Sequence, residues 1–255
     1  MIGHPPSWLR LKGLDRATAV ERASHELLRA YREQWPNLIP TELHRLSASL
    51  GCQVRTVRNL EGGARLLPVR GGFHVLVSDK LEAGRYRTAV AHELCHTLFY
   101  SRNGDIPERL LPTTEAEERF CFDVARRVLA PRWMLEAVGL PSQRDAKPMF
   151  RILTGRFKLS RPTAARLMLA DYELVTGVAG RWSLVENEWR LNRGESSASP
   201  QLKVTERKLL HSAARNWLRS GDPETIFCQV FGLMEAGNQS AFVLVQRGLA
   251  KTAVA

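Results

Sequence analysis

Apolar residues between positions 17 and 35 recur at steps of three and four: Val20, Ala23, Leu27, Tyr31 and Trp35, with Glu21, Arg22, Arg29 and Arg32 between them. That period predicts a helix with one buried stripe, ended by Pro36, which has no amide to donate. A second helix is predicted from Thr41, whose hydroxyl suits an N-cap. It runs along Leu43, Leu46 and Leu50 to a C-terminal Gly51. The pattern then shortens to β-prone runs at Cys52–Val57, Arg65–Val69 and Phe73–Val77, separated by Glu61-Gly62-Gly63 and Gly71-Gly72. Runs of this length between glycine turns predict a small antiparallel sheet. Helical spacing resumes over residues 85–100, breaks at Gly104 and Pro107, and returns from about Thr114 to Leu129, ahead of Pro131. Short helical stretches continue to about Val175. After Gly177 the character changes. A hairpin is predicted from Trp182–Val185 and Glu188–Leu191, a loop at Gly194–Pro200, helices over 206–218 and 223–236, and a strand at Ala241–Gln246. The order describes an α+β chain in three parts: a mostly helical domain with its small sheet (1–131), a helical segment (132–176) and a C-terminal α+β domain (177–255).

One helix carries chemistry. Ala91-His92-Glu93-Leu94-Cys95-His96 is an HExxH motif, and a chance match in a chain with this many His and Glu has an expectation of only about 0.014. Four residues are slightly more than one turn, so the two imidazoles leave the same face and can bind one Zn²⁺. Glu93 beside them is placed to act as a general base on water. The flanking Val90, Leu94, Leu98 and Phe99 predict a buried helix rather than a solvated one. A catalytic zinc needs a third protein ligand, and the next helix offers Glu115, Glu117 and Glu118. Glu118 heads a stripe with Cys121, Ala125 and Val128, whose small members allow close approach to the HExxH helix. Glu117 shares part of that face, and Glu115 suits the solvated helix start.

These two stretches resemble the ImmA/IrrE family of metallopeptidases. Tyr86-Arg87-Thr88-Ala89-Val90-Ala91-His92-Glu93-Leu94-Cys95-His96 is similar to that family's R-F-T-x-A-H-E-x-x-H core. Glu118-Arg119-Phe120-Cys121-Phe122-Asp123-Val124-Ala125, with Leu129-Ala130-Pro131, is similar to its Glu-led helix ending at L-x-P, although Val124 stands where phenylalanine is commoner. The similarity spans about residues 38–170. It implies a zincin-like fold, His92, His96 and Glu118 as zinc ligands, and Glu93 as the catalytic glutamate. It also implies a helix-turn-helix repressor of mobile-element or stress genes as the protein cut. Tyr86, Tyr100 and His74 are the candidate donors to a tetrahedral oxyanion.

Composition adds a bias toward acidic partners. The chain of 255 residues has a formal net charge of +11, of which +4 falls in residues 1–131, +4 in the short 132–176 and +3 in 177–255. Between Lys147 and Arg166 there is no acidic residue, and Ile152–Leu167 resembles a helix–turn–helix. Phe157 and Leu159 would be its core and Ser160 the N-cap of its second helix. Arg156, Lys158, Arg161 and Arg166 could then meet DNA; alternatively these helices only buttress the peptidase. Four separated cysteines without a spacing motif, no signal-peptide pattern and no long apolar run give the expectation of a cytoplasmic protein with reduced thiols and no membrane span. Trp182, Trp189 and Trp217 are expected core residues of the C-terminal domain. A second function class also fits the residues: a non-enzymatic regulator that binds DNA or a repressor, with a structural or vestigial metal site. An intact Glu93 favours the enzyme, because a structural site has no use for it.

Overall fold

The computed structural model describes residues 11, 13–139, 146–174 and 212, and the backbone of 177–185, 188–191, 224–225, 228–229 and 240–246. The chain divides into two compact units, one of residues 1–138 with 155–160, the other of 139–154 with 161–255.

The first unit opens with α1 (Arg16–Gln34), capped by Asp15, whose carboxylate accepts from the Ala17 and Thr18 amides at 3.0 and 3.1 Å. The predicted stripe is the buried one, from Val20 through Leu27 to Tyr31, while Trp35 stays half-buried at the helix end. Helix α2 (Leu43–Ser49) starts later than expected, with Glu42 and not Thr41 at the cap position. Thr41 is fully buried, and its hydroxyl donates instead to the Val128 carbonyl at 2.9 Å. A buried hydroxyl needs a partner more than this short helix needs a cap.

Strands β1 (Cys52–Val57), β2 (Ala64–Val69) and β3 (Gly72–Ser78) follow. The sheet is mixed, not antiparallel as predicted. Its order is β1-β3-β2, with β1 parallel to β3 and β2 antiparallel to it. Burial explains the order. Phe73, Val75 and Val77 are 0–1 % exposed, so β3 takes the centre, whereas β1 and β2 each bury one residue and lie at the edges. Pro68 on β2 fits an edge, where its missing amide breaks no ladder bond. Gly51, with φ +65°, turns the chain from α2 into β1, and its carbonyl receives the Phe73 amide at 3.1 Å.

Helix α3 (Ala83–His96) runs into a short 3₁₀ turn (Thr97–Phe99) and then a two-stranded ribbon, β4 (Tyr100–Ser101) with β5 (Glu108–Arg109). Helix α4 (Glu115–Leu129) begins at Thr114, whose hydroxyl accepts from the Glu117 amide at 3.2 Å, and α5 (Arg132–Ala137) follows after Pro131. The acidic first turn and basic last turn of α4 both suit the helix dipole. Val90, Ala91, Leu94 and Cys95 of α3 meet Cys121, Val124, Ala125 and Val128 of α4, and all eight are fully buried. The small Ala91, Cys95, Cys121 and Ala125 let the two helices close on each other, as the spacing predicts.

The second unit contains α6 (Ala146–Arg151), α7 (Arg161–Arg166) and a π-helical stretch, Leu167–Asp171. A further π-helical segment, Ile152–Arg156, crosses the boundary between the units. Beyond lie β6 (Gly177–Val185), β7 (Glu188–Leu191) and β10 (Ser240–Gln246), in one antiparallel sheet of order β10-β6-β7. The predicted hairpin and last strand are present there. Strands β8 (Glu224–Thr225) and β9 (Cys228–Gln229) pair where a helix is predicted. The β-branched and aromatic run Thr225-Ile226-Phe227 after Pro223 outweighs the helical spacing. The expected loop at Gly194–Pro200, the helix over 206–218 and the core roles of Trp182, Trp189 and Trp217 lie outside the described residues and side chains. No helix among the described residues is long and apolar enough to cross a membrane.

Candidate metal centre

The α3–α4 pair sets the geometry. Its apolar seam holds the helices in register, and one turn further along the same faces carry polar groups. His92 and His96 leave α3 with their ring centres 4.8 Å apart, and both are buried. Their Nε2 atoms lie 3.1 Å from each other. Glu118 at the start of α4 brings one carboxylate oxygen to 3.1 Å from His92 Nε2 and the other to 3.4 Å from His96 Nε2. Donors bonded tetrahedrally to zinc at 2.0–2.1 Å stand about 3.3 Å from one another. The His92–His96–Glu118 set therefore fits an ion of that size, and its chemistry, two imidazoles and a carboxylate, suits zinc.

A second group shares His96. Glu117 Oε1 lies 2.7 Å from His96 Nδ1, and Cys121 Sγ lies 3.6 Å from the same nitrogen. Either group is close enough to hold a metal ion. Two facts weigh against the second. Burial pushes the Cys121 thiol far above its usual range, so an ion there would first have to displace its proton. Glu117 is also engaged by Arg109, whose Nη2 donates to its two oxygens at 2.5 and 2.7 Å.

Electrostatics keep the first set ready for a cation. Burial, helped by the neighbouring His96, pushes His92 down to about 3, so its ring is neutral at ordinary pH and free to offer a lone pair. Burial raises the Glu93 carboxyl above its usual range, against the His96 ring and the Leu66 backbone amide, which pull it down. The His92 ring also stacks on Phe122 with centroids 3.9 Å apart.

The site opens into a cleft of about 630 Å³, lined by His92, Glu93, His96 and Glu118, by the turn at Gly62-Gly63 and the start of β2 as far as Leu66, and by Tyr100, Arg109 and Phe122. Of the three candidate oxyanion donors, Tyr100 lines this cleft and neither Tyr86 nor His74 does. The structure thus brings His92, Glu93, His96 and Glu118 together.

The basic residues are distributed differently. Arg156 and Lys158 belong to the first unit and are exposed; Arg161 and Arg166 belong to α7 in the second. Phe157 and Leu159 are buried as expected, and α7 starts directly after Ser160.

The site holds residues that the sequence pattern does not single out. Arg109 sits on a two-residue strand with no periodicity to mark it. Phe122 is 46 % exposed, an apolar residue left uncovered beside an imidazole. Its place one helical turn after Glu118 is the signal that could have flagged it.

The chain matches no known family model and no curated protein. Among solved structures it is similar to a Mycobacterium tuberculosis transcriptional regulator, at 16% identity and a TM-score of 0.49, over 95% of this chain and 81% of that one.

Proposed function

We propose that the chain is a zinc-dependent endopeptidase, with His92, His96 and Glu118 holding the ion and Glu93 as its catalytic residue. The observation that carries this reading is the convergence of three nitrogen and oxygen donors, 3.1–3.4 Å apart, beside the half-buried Glu93 in an open cleft. Structural zinc sites are closed and recruit cysteine; catalytic ones have three protein ligands and an open side. When bound there, zinc supplies a Lewis acid for the peptide carbonyl and lowers the pKa of water to about 7. Glu93 takes the proton of the attacking water on its carboxylate and returns it to the leaving amine nitrogen as the C–N bond breaks. Tyr100, whose side chain lines the cleft, is the donor assigned to the developing oxyanion.

The paired motifs around His92–His96 and Glu118 support a helix-turn-helix repressor as the protein cut, in the cytoplasm, with the net charge of +11 suiting a substrate bound to DNA. The test uses Glu93→Gln and the repressor encoded beside this gene. The variant is expected to keep its zinc and to lose about 10²–10⁴-fold in cleavage rate. Undiminished cleavage by Glu93→Gln overturns the mechanism. Zinc uptake without any cleavage by the wild type points instead to a regulator with a structural metal.

A further inference from the structure

We infer that Glu117, with Arg109 behind it, is a positioning pair that sets the affinity of the metal site through His96. The inference rests on the reading of His92, His96 and Glu118 as ligands, and it concerns two residues that reading does not use. Consecutive residues on a helix point about 100° apart. Glu118 therefore meets His96 at Nε2 while Glu117 reaches around the ring to Nδ1, at 2.7 Å. A carboxylate at Nδ1 accepts a hydrogen bond from the Nδ1–H. This fixes the tautomer that leaves Nε2 with a free lone pair, holds the ring plane and makes the imidazole a stronger donor. The Glu117 side chain is only 5 % exposed, so its charge needs a counterpart. Arg109 is that counterpart, reaching from β5 with one nitrogen on both carboxylate oxygens and lying over the Tyr100 ring at 5.3 Å. Among the described residues His92 has no equivalent support: its Nδ1 is buried without a hydrogen-bond partner, and its ring stacks on Phe122. Of the two histidines, His96 is thus locked at Nδ1 by a hydrogen-bonded pair, whereas the side of the His92 ring away from the site is held by packing.

The test measures zinc affinity by competition with a chromophoric chelator, using the full chain and the variants Glu117→Gln, Arg109→Met and both together. Apo-protein melting is followed in parallel, and Glu115→Gln serves as a control because Glu115 is exposed and pairs with Arg119 on its own helix. Glu117→Gln is expected to weaken zinc binding by about 10–100-fold and Arg109→Met by about tenfold. Glu115→Gln should leave it unchanged. Because Arg109 acts through Glu117, the double variant should bind no more weakly than Glu117→Gln alone. The Co²⁺ form of Glu117→Gln should also show shifted visible absorption bands, since the His96 donor changes. Should Glu117→Gln fail to fold, Arg109→Met carries the test. Affinities within about twofold of wild type in the variants that fold overturn the inference, as does a lowered apo melting temperature with unchanged zinc affinity. Additive losses in the double variant overturn the link from Arg109 to Glu117. A wild type that takes up no zinc overturns the ligand reading itself, and the positioning pair with it.

Discussion

At the scale of single residues, Glu117 and Glu118 show what a motif can and cannot specify. Both approach the same histidine, at 3.4 Å for Glu118 and 2.7 Å for Glu117, yet Glu118 reaches the nitrogen that faces the cleft and Glu117 the nitrogen that faces the core. The stripe Glu118–Cys121–Ala125–Val128 made the first legible, because helical spacing alone decides which face a residue shares. The role of Glu117 depends on Arg109, eight residues away across a loop, and no periodicity records that. A second ionic residue of α4 permits a direct check. Burial would raise the Asp123 carboxyl, but hydrogen bonds and charge from Arg16 and Arg126 outweigh it and hold it below its ordinary value of 3.8. A folded value below the unfolded one means stability that is present above pH 3.8 and lost as the pH falls through the folded value. Asp123→Asn should therefore cost about 1–3 kcal/mol at neutral pH in a denaturant titration, and the difference from wild type should fade in acid. An equal loss at pH 3 and pH 7 would show that the effect is not ionic.

At the scale of elements, α4 was legible almost to the residue and α3 to within a few residues, since each combines a long 3.6 period with a clear start or stop. The sheet was legible as three strands in the right places, but not in its order. Strand order depends on which strand buries a whole face, here Phe73, Val75 and Val77 of β3, and that follows from tertiary packing rather than from alternation within one run. The close fit between elements makes two sites intolerant. A Cβ on Gly72 would lie 2.2 Å from the Gly51 carbonyl oxygen, so Gly72→Ala must push β3 away from the end of α2. Ala125, fully buried between α3 and α4, has no room for a larger side chain. Ala125→Leu should destabilise by about 1–3 kcal/mol and also weaken zinc binding, because it spreads the two helices that carry the donors. Gly72→Ala should lower stability in the same range while leaving zinc affinity unchanged, since it acts at the opposite end of the sheet. Thermal melts with and without zinc separate the two.

At the scale of the whole molecule, His92, Glu93, His96 and Glu118 fall within one compact unit, whereas the basic residues read from the sequence as one helix–turn–helix are shared between two. Local sequence pattern could find the helices there but not the unit each belongs to, because that depends on contacts far apart in the chain. If the first unit binds zinc only when folded, the metal must stabilise it by mass action. At free zinc one hundred times the dissociation constant, the gain is about 2.7 kcal/mol, a rise of about 5–10 °C in the melting of that unit, reversed by a chelator. The most direct measurement of the central claim is the zinc content of the purified protein by native mass spectrometry, wild type beside Glu93→Gln and His92→Ala. The account predicts one zinc per chain in the wild type and in Glu93→Gln, and none in His92→Ala. A wild type without zinc, or a His92→Ala protein that retains it, would contradict the account.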